Sequence, residues 1–407
     1  MTGSAPADCL MLLTSLLVAA AGLLLLVPVC VLTVEILAAL ASEAPSDTPP
    51  PPRPRLAVVM PAHDEALTIA ETVRALLPQL GNADRLVVVA DNCSDSTGSI
   101  AAASGAEVIV RTDPTRRGKG YALDFGMRHL ERDPPQVVLI VDADCRVANG
   151  SVERLARVCM AETAAVQARY LMRAPPGAGT MVRIAEFACL LKNWVRPLGL
   201  RRLGLPCQLL GTGMAFPWAQ IRDAALASGH IVEDLKLGLE LAACGAPPLF
   251  CPEAEVTSTF PASEEGFKSQ RTRWEHGYLS VLTKDAPSLL TRAILRRDGR
   301  LLAMALDLSV PPVALLTLLT AAVWGISALF YLKSRAALPL AVSSLAMGLL
   351  IAVLFAAWAR YGRNVVSLGR LMLAVPYALW KIPLYGKFLV ARQIDWVRSK
   401  RDQERST

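Results

Sequence analysis

At 407 residues the chain is long enough for one large domain or two medium ones. Its hydrophobic fraction of 53% exceeds what soluble domains usually carry and points towards membrane spans. The net charge of +7 suits anionic lipid or a phosphorylated substrate; with no basic run interleaved with aromatics, nucleic acid is set aside as a partner.

From Cys9 to Leu40 the chain is mostly Leu, Val and Ala, interrupted by Pro28, Thr33, Glu35 and a few small residues. About 20 apolar residues cross a bilayer, so residues 1–42 are expected to form a tilted or overlong membrane helix. No Lys or Arg precedes this stretch, whereas Arg53 and Arg55 follow it, so the positive-inside rule puts the following segment in the cytoplasm. Residues 43–55 read as a Pro-rich spacer, stiff and unable to pack a core.

Residues 56–290 alternate short apolar strands with helical segments, the pattern of a parallel sheet with crossover helices. The first strand is Leu56-Ala-Val-Val-Met60, closed by Pro61. A helix follows over Thr68–Leu77, then a strand over Arg85–Ala90. The polar loop Asp91-Asn-Cys-Ser-Asp-Ser-Thr97 is rich in capping residues and precedes a helix at Gly98–Ala103. Glu107–Arg111 is a third strand, and a helix around Tyr121–Leu130 leads to the next.

That next stretch, Val137-Val-Leu-Ile-Val-Asp-Ala-Asp144, carries the chemistry. Five apolar residues, four of them β-branched, read as a strand buried on both faces. Asp142 and Asp144 lie two apart, so an extended backbone points both the same way. Two like charges aimed at one spot call for a cation, and hard Mg²⁺ or Mn²⁺ prefers carboxylates together with substrate phosphates. The strand ends Pro61-Ala-His-Asp-Glu65, Asp91-Asn92 and Asp142-Ala-Asp144 are expected on one rim, as befits a nucleotide pocket.

Three other segments add candidates. Arg116-Arg-Gly-Lys-Gly120 pairs cations with glycines that permit close backbone approach; it lacks the Walker spacing. Glu233 and Asp234 open an amphipathic helix to Ala243, either as dipole complements or as a general base for an acceptor hydroxyl. Gln270-Arg-Thr-Arg-Trp274 places two cations and an indole within one helical turn, fit for phosphate and sugar or for a surface helix on the membrane. Between the first and second of them, Leu209-Leu-Gly-Thr-Gly-Met-Ala-Phe216 is Gly-rich and apolar, without an assigned task.

Residues 291–407 turn apolar again. Val310–Leu332 and Leu338–Trp358 are each long enough to span. Val365–Val390, broken by Arg370, Pro376, Lys381 and Pro383, reads as an interfacial or re-entrant helix ahead of a basic tail. Arg292, Arg296, Arg297 and Arg300 before the first span, and Arg360 and Arg363 after the second, fit the cytoplasmic side; Lys333 and Arg335 between them do not. Nine cysteines without a Cys-x-x-Cys pair, beside four histidines, indicate neither a zinc site nor a disulfide framework.

The motifs Pro61–Glu65, Asp91–Asp95, Arg117–Gly120, Asp142–Asp144, Glu233-Asp234 and Gln270–Trp274 together resemble, in order and spacing, the membrane-bound family 2 glycosyltransferases. The resemblance implies an α/β, GT-A Rossmann-like catalytic domain flanked by membrane helices. It implies inverting transfer from a nucleotide-diphosphate sugar, a UDP-sugar first, with Mg²⁺ or Mn²⁺. By residue it puts the nucleobase at Asp91, near Pro61, Ala62, His63 and Glu65, with Lys119 also on the nucleotide. Asp142, Ala143 and Asp144 meet the diphosphate and the metal, Asp144 most directly. Asp234, beside Glu233, is the catalytic base, and Gln270, Arg271, Arg273 and Trp274 brace diphosphate and acceptor. The sequence departs from the family at His63-Asp64 and at Val232. With fewer spans than polysaccharide synthases carry, single addition to a lipid-linked acceptor at the inner membrane is expected over processive extrusion. A polyprenyl-diphosphate oligosaccharide is the first acceptor, with envelope-assembly partners; a ceramide- or hopanoid-type glycolipid is the second. A nucleotidyltransferase and an inactive membrane scaffold remain as rivals.

Overall fold

The computed structural model describes residues 5–41 and 52–390; most of the Pro-rich spacer and the whole basic tail lie outside these residues. A continuous helix α1 (Ala5–Leu40) runs through Pro28. The α/β segment begins with β1 (Leu56–Ala62), α2 (Ile69–Leu76), β2 (Arg85–Asp91), α3 (Thr97–Ala103), β3 (Glu107–Arg111), α4 (Lys119–Leu130) and β4 (Val137–Ile140). It continues through β5 (Arg146–Val147), α5 (Ser151–Glu162), β6 (Val166–Arg173), α6 (Thr180–Leu190), α7 (Arg196–Arg202), β7 (Met214–Pro217) and α8 (Trp218–Ile221). It closes with α9 (Glu233–Ala243), β8 (Leu249–Thr259) and α10 (Glu264–Lys284), the helix of the Gln-Arg-Thr-Arg-Trp segment.

The eight strands form one sheet in the order β3-β2-β1-β4-β7-β6-β8-β5. β1 pairs in parallel with β2 and β4, and β2 with β3, so these four strands end on a single rim. β7 runs antiparallel to β4 and β6, and β5 antiparallel to β8. The alternation of β1 shows why its register is fixed. Leu56, Val58 and Met60 enter the core that continues towards α1 and the apolar C-terminal helices, whereas Ala57 and Val59 face α4 and Phe216. Each such Val or Leu, fully buried, is worth about 1.5–3 kcal/mol over exposure, and a one-residue slip would swap the two faces.

Pro61 lies within β1 rather than closing it. The β1–β4 register ends at Val59 with Ile140, so Pro61 sits beyond that ladder, where an imide nitrogen is tolerated. β4 also stops at Ile140, and Asp142 and Asp144 stand on the loop that follows rather than on the strand.

Beyond α10 come α11 (Ala286–Arg296), α12 (Gly299–Ser309), α13 (Val313–Ser334) and α14 (Ala337–Ala357). α1, α13 and α14 pack together, and three helical stretches are long and apolar enough to cross a membrane: Leu10–Leu40, Val313–Ser334 and Ala337–Gly362. α13 starts at Val313 because Pro311 and Pro312 fill the turn before it. Val365–Val390 is not one helix but three short ones, α15 (Leu368–Leu371), α16 (Ala374–Trp380) and α17 (Ile382–Val390). Lys381, expected to break the helix, instead lies buried between α16 and α17 and pairs with Glu275 of α10. Glu35, the carboxylate of α1, is likewise buried, paired with Arg196 of α7 at 2.6 Å; Arg196 also holds Asp307 of α12 at 2.5 Å.

Candidate active site

The parallel rim opens on a cleft of about 510 Å³. Pro61, Ala62, His63, Glu65, Asp91, Lys119, Asp142, Ala143, Asp144, Gln270 and Arg273 all line it. A second cavity of about 240 Å³ is lined by Glu233, Asp234, Arg271 and Trp274. Lys119, Asp142 and Arg273 line both, so the two spaces meet at that trio. The expected site residues therefore divide between two connected chambers rather than sharing one.

In the first chamber Asp91 ends β2, buried, and pairs with Arg111 of β3 at 2.5 Å. The parallel register sets Arg111 opposite Asp91, which is the signal that could have revealed this partner from the strands alone. His63 Nδ1 lies 2.7 Å from the Asp91 carbonyl oxygen. The Glu65 carboxylate accepts from Thr68 Oγ1 at 3.0 Å, and its backbone N–H donates to Thr97 Oγ1 at 2.7 Å.

The Asp142–Asp144 loop is held from two sides. The Asp142 N–H donates to Thr212 Oγ1 at 3.0 Å, and Thr72 Oγ1 of α2 donates to the Ala143 carbonyl at 2.8 Å. Both carboxylates are half-buried, and their oxygens lie within 4.8 Å of one another and of Cys145 Sγ. Burial pushes the Cys145 thiol well above its usual range, so it stays protonated and leaves an oxygen donor pair. Two carboxylate oxygens opening on a cleft fit a hard divalent cation.

Lys119 joins the chambers. Its ammonium pairs with Asp142 and donates to the Gly211 carbonyl at 2.6 Å. Burial works against that charge, yet Asp142 and Glu233 hold it above the usual lysine range. Burial raises the Asp142 carboxyl and Lys119 opposes the rise. The glycine after Lys119 is forced: a Cβ on Gly120 would stand 2.4 Å from the Leu226 carbonyl. The segment 209–213, unassigned in the sequence, proves to be structural support for the site. Buried Gln167 fastens it, its Oε1 accepting from the Leu210 N–H at 2.8 Å and its Nε2 donating to the Thr212 carbonyl at 2.9 Å.

In the second chamber, burial and then the charge of Asp234 push the Glu233 carboxyl up to about 8. Burial also raises Asp234, opposed by Lys119 and Lys192. Burial thus works against two charges in this chamber, and Glu233 is the carboxyl that keeps its proton past neutrality. Arg273 is half-buried; burial lowers its pKa against the charges of Glu233, Asp142 and Asp144. Arg271, expected on the diphosphate, is buried and ion-paired with Glu275 at 2.8 Å, with Cys189 Sγ 3.3 Å from its Nη1. Trp274 is half-buried and lines the second chamber.

A four-stranded parallel core extended by a mixed set of strands, with paired carboxylates after β4, is the GT-A arrangement of nucleotide-sugar glycosyltransferases. The profile of the glycosyltransferase-like family 2 matches residues 52–277, and the chain belongs to that family. It is 27% identical over 246 residues to the "Probable glycosyltransferase YdaM" of Bacillus subtilis (strain 168), covering 57% of each chain. It is 36% identical over 95 residues to the glucosyl-3-phosphoglycerate synthase of Mycolicibacterium paratuberculosis, covering 22% of this chain and 28% of that one. The matches thus span less than two thirds of either curated relative. Among solved structures, the mannosyltransferase PcManGT from Pyrobaculum calidifontis, in complex with GDP-Man and Mn²⁺, superposes with a TM-score of 0.53 at 17% identity. That superposition covers 91% of this chain and all of the other, and establishes the shared fold.

Proposed function

We propose that the protein transfers a sugar, with inversion, from a nucleotide-diphosphate sugar to a lipid-linked acceptor in cell-envelope or exopolysaccharide assembly. The observation that carries this reading is the meeting of two chambers at Lys119, Asp142 and Arg273. One chamber has the strand-end residues of a nucleotide site. The other contains a carboxylate pair and reaches Val310–Val313, where α13 begins.

In this reading the donor, a UDP-sugar first, fills the rim cleft with its base near Asp91. Asp144 and Asp142 would hold a divalent ion, whose charge would offset that of the departing diphosphate. Arg273 and Lys119 add positive charge on the same side, and Gln270 contacts the sugar or diphosphate. Asp234 removes the proton from the acceptor hydroxyl, while Glu233 stays protonated beside it. Donor and base in opposite chambers suit single displacement, hence inversion.

α1, α13 and α14 would span the inner membrane, and residues 56–290 would face the cytoplasm. Arg292, Arg296, Arg297, Arg300, Arg360 and Arg363 support that orientation, all belonging to segments on the catalytic side of the helix ends. Exposed Cys244 should then resist an impermeant thiol reagent in intact cells and react after permeabilisation. Labelling in intact cells would reverse the topology.

The function is tested by incubating membranes containing the protein with a panel of labelled sugar nucleotides and Mn²⁺, then extracting lipid. One sugar should pass to lipid, and Asp234→Asn should abolish transfer while nucleotide affinity is kept. Asp144→Ala should remove the Mn²⁺ dependence of nucleotide binding by calorimetry. Transfer surviving in Asp234→Asn would reject the base assignment.

A further inference from the structure

The second chamber holds a lysine that none of the motifs requires. α6 passes into α7 through a π turn over Leu191–Val195, a local widening of the helix that re-aims side chains and recurs at functional sites. Lys192 sits on that turn, its side chain reaching the cavity while Leu191, Asn193 and Val195 beside it are buried. Its Nζ stands 4.8 Å from the centre of the Tyr278 ring, and Tyr278 lines the same chamber.

The other cations around that space are engaged. Lys119 pairs with Asp142, Arg196 with Glu35 and Asp307, and Arg271 with Glu275. Arg273 is drawn towards Glu233, Asp142 and Asp144. Lys192 makes no ion pair with a carboxylate among the described residues, although Asp234 is near enough to stabilise its charge. Burial lowers its pKa against the opposing pull of Asp234. Lys192 lines only the second chamber, so it is not arranged for the donor in the rim cleft. The same chamber is bounded by Val310, Pro311, Pro312 and Val313 at the foot of α13, where a lipid chain would leave it.

We propose that the acceptor carries a phosphate or phosphodiester, which pairs with Lys192 in this chamber while its reacting hydroxyl meets Asp234. The inference rests on the lipid-acceptor reading above and narrows it to anionic lipids. A headgroup anion over the Tyr278 edge of the chamber would supply Lys192 with an ion-pair partner, and fix the hydroxyl beside the base. Neutral glycolipid headgroups would leave Lys192 without a partner.

The test uses the full-length protein in detergent micelles, with the donor that labels lipid in the membrane assay. Total lipid from cells producing the protein is split by anion exchange into a neutral flow-through and a salt-eluted anionic fraction. Label should enter only the anionic fraction. Lys192→Met should raise the apparent KM for that fraction about tenfold, the scale of one charge-assisted hydrogen bond, with donor KM within about twofold. Lys192→Arg should restore it, and both variants should melt as the parent does. Label in the neutral fraction, or a Lys192→Met effect on donor KM alone, would overturn the anionic acceptor and leave the lipid reading intact. Label confined to water-soluble product would overturn both.

Discussion

Arg111 Nη1 stands 2.5 Å from Asp91 Oδ1, and the two residues face each other in the parallel register of β3 and β2. Both side chains are buried; Arg111 also pairs with Asp113 at 3.3 Å and donates to the Arg116 carbonyl at 2.9 Å. The arginine thus links the strand carrying Asp91 to the loop that leads into Lys119. It fixes the direction in which Asp91 presents its carboxylate to the cleft.

Arg111→Met should cost about 3–5 kcal/mol, because it leaves a buried carboxylate without its counter-charge. Donor affinity should fall as well. The double variant Arg111→Met, Asp91→Asn should recover most of the thermal stability without recovering donor binding. Thermal melting beside nucleotide titration separates the two effects. Equal recovery of both would show that Asp91 serves only the fold.

Gly211 is the second sensitive point. Its φ of +90° is a conformation that side chains rarely adopt, and an added Cβ would lie 3.3 Å from Asp234 Oδ2. Its carbonyl accepts from Lys119 at 2.6 Å. Gly211→Ala should therefore disturb the base and the junction lysine together, lowering kcat about tenfold to a hundredfold, as small misplacements of reacting groups do. Donor Kd should weaken by less than kcat falls, since Asp91 and Asp144 are untouched and Lys119 is the one donor-cleft residue displaced. A variant with parental kcat would show that the junction tolerates movement.

The Glu233 carboxyl, raised to about 8, gives a pH signature with a definite sign. The folded protein keeps this proton where the unfolded chain, near the ordinary value of 4.5, has lost it. The contribution to stability is thus fully present below 4.5, declines as pH rises, and is lost as pH passes about 8. Activity should follow: above pH 8 a second negative charge appears beside Asp234, and kcat should fall. Glu233→Gln should remove that alkaline limb and flatten the stability slope between pH 5 and 8. A parental alkaline limb in Glu233→Gln would assign it to another group.

The parallel core was legible because β-branched runs ending in polar residues leave little choice of element. Strand ends on one rim followed from parallel pairing, and with them the cleft around Asp91 and Asp144. What escaped depends on contacts between distant residues. Arg111 reads as the end of an ordinary strand until its register is known. The 209–213 segment looks like a Gly-rich loop until Lys119 and Gln167 are found bonded to it. The strands that run against the others, β5 and β7, are only two and four residues long, and the parallel pairing of β6 with β8 shifts register between Ala168 and Arg169. Arg271 matched a phosphate-binding pattern in the sequence, yet its neighbour one turn on, Glu275, takes its charge.

That last pairing supports a comparison of two substitutions at one buried cluster. Glu275 Oε1 accepts from both Arg271 and Lys381, tying α10 to the segment between α16 and α17. One carboxylate thus faces two cations, all three side chains buried. Lys381→Met leaves a neutral Arg271–Glu275 pair and replaces an ammonium by an apolar chain of similar length. It should cost under about 2 kcal/mol, since exchanging a buried ion for a well-packed hydrophobe is often near neutral. Glu275→Gln leaves two cations without a counter-charge and should cost about 3–5 kcal/mol. It should also loosen α10, which carries Gln270, Arg273 and Trp274, so turnover should fall more than in Lys381→Met. Melting temperatures and kcat of the two variants in the same micelles give the order. A larger loss in Lys381→Met would mean that the lysine, rather than the carboxylate, holds α10 in place.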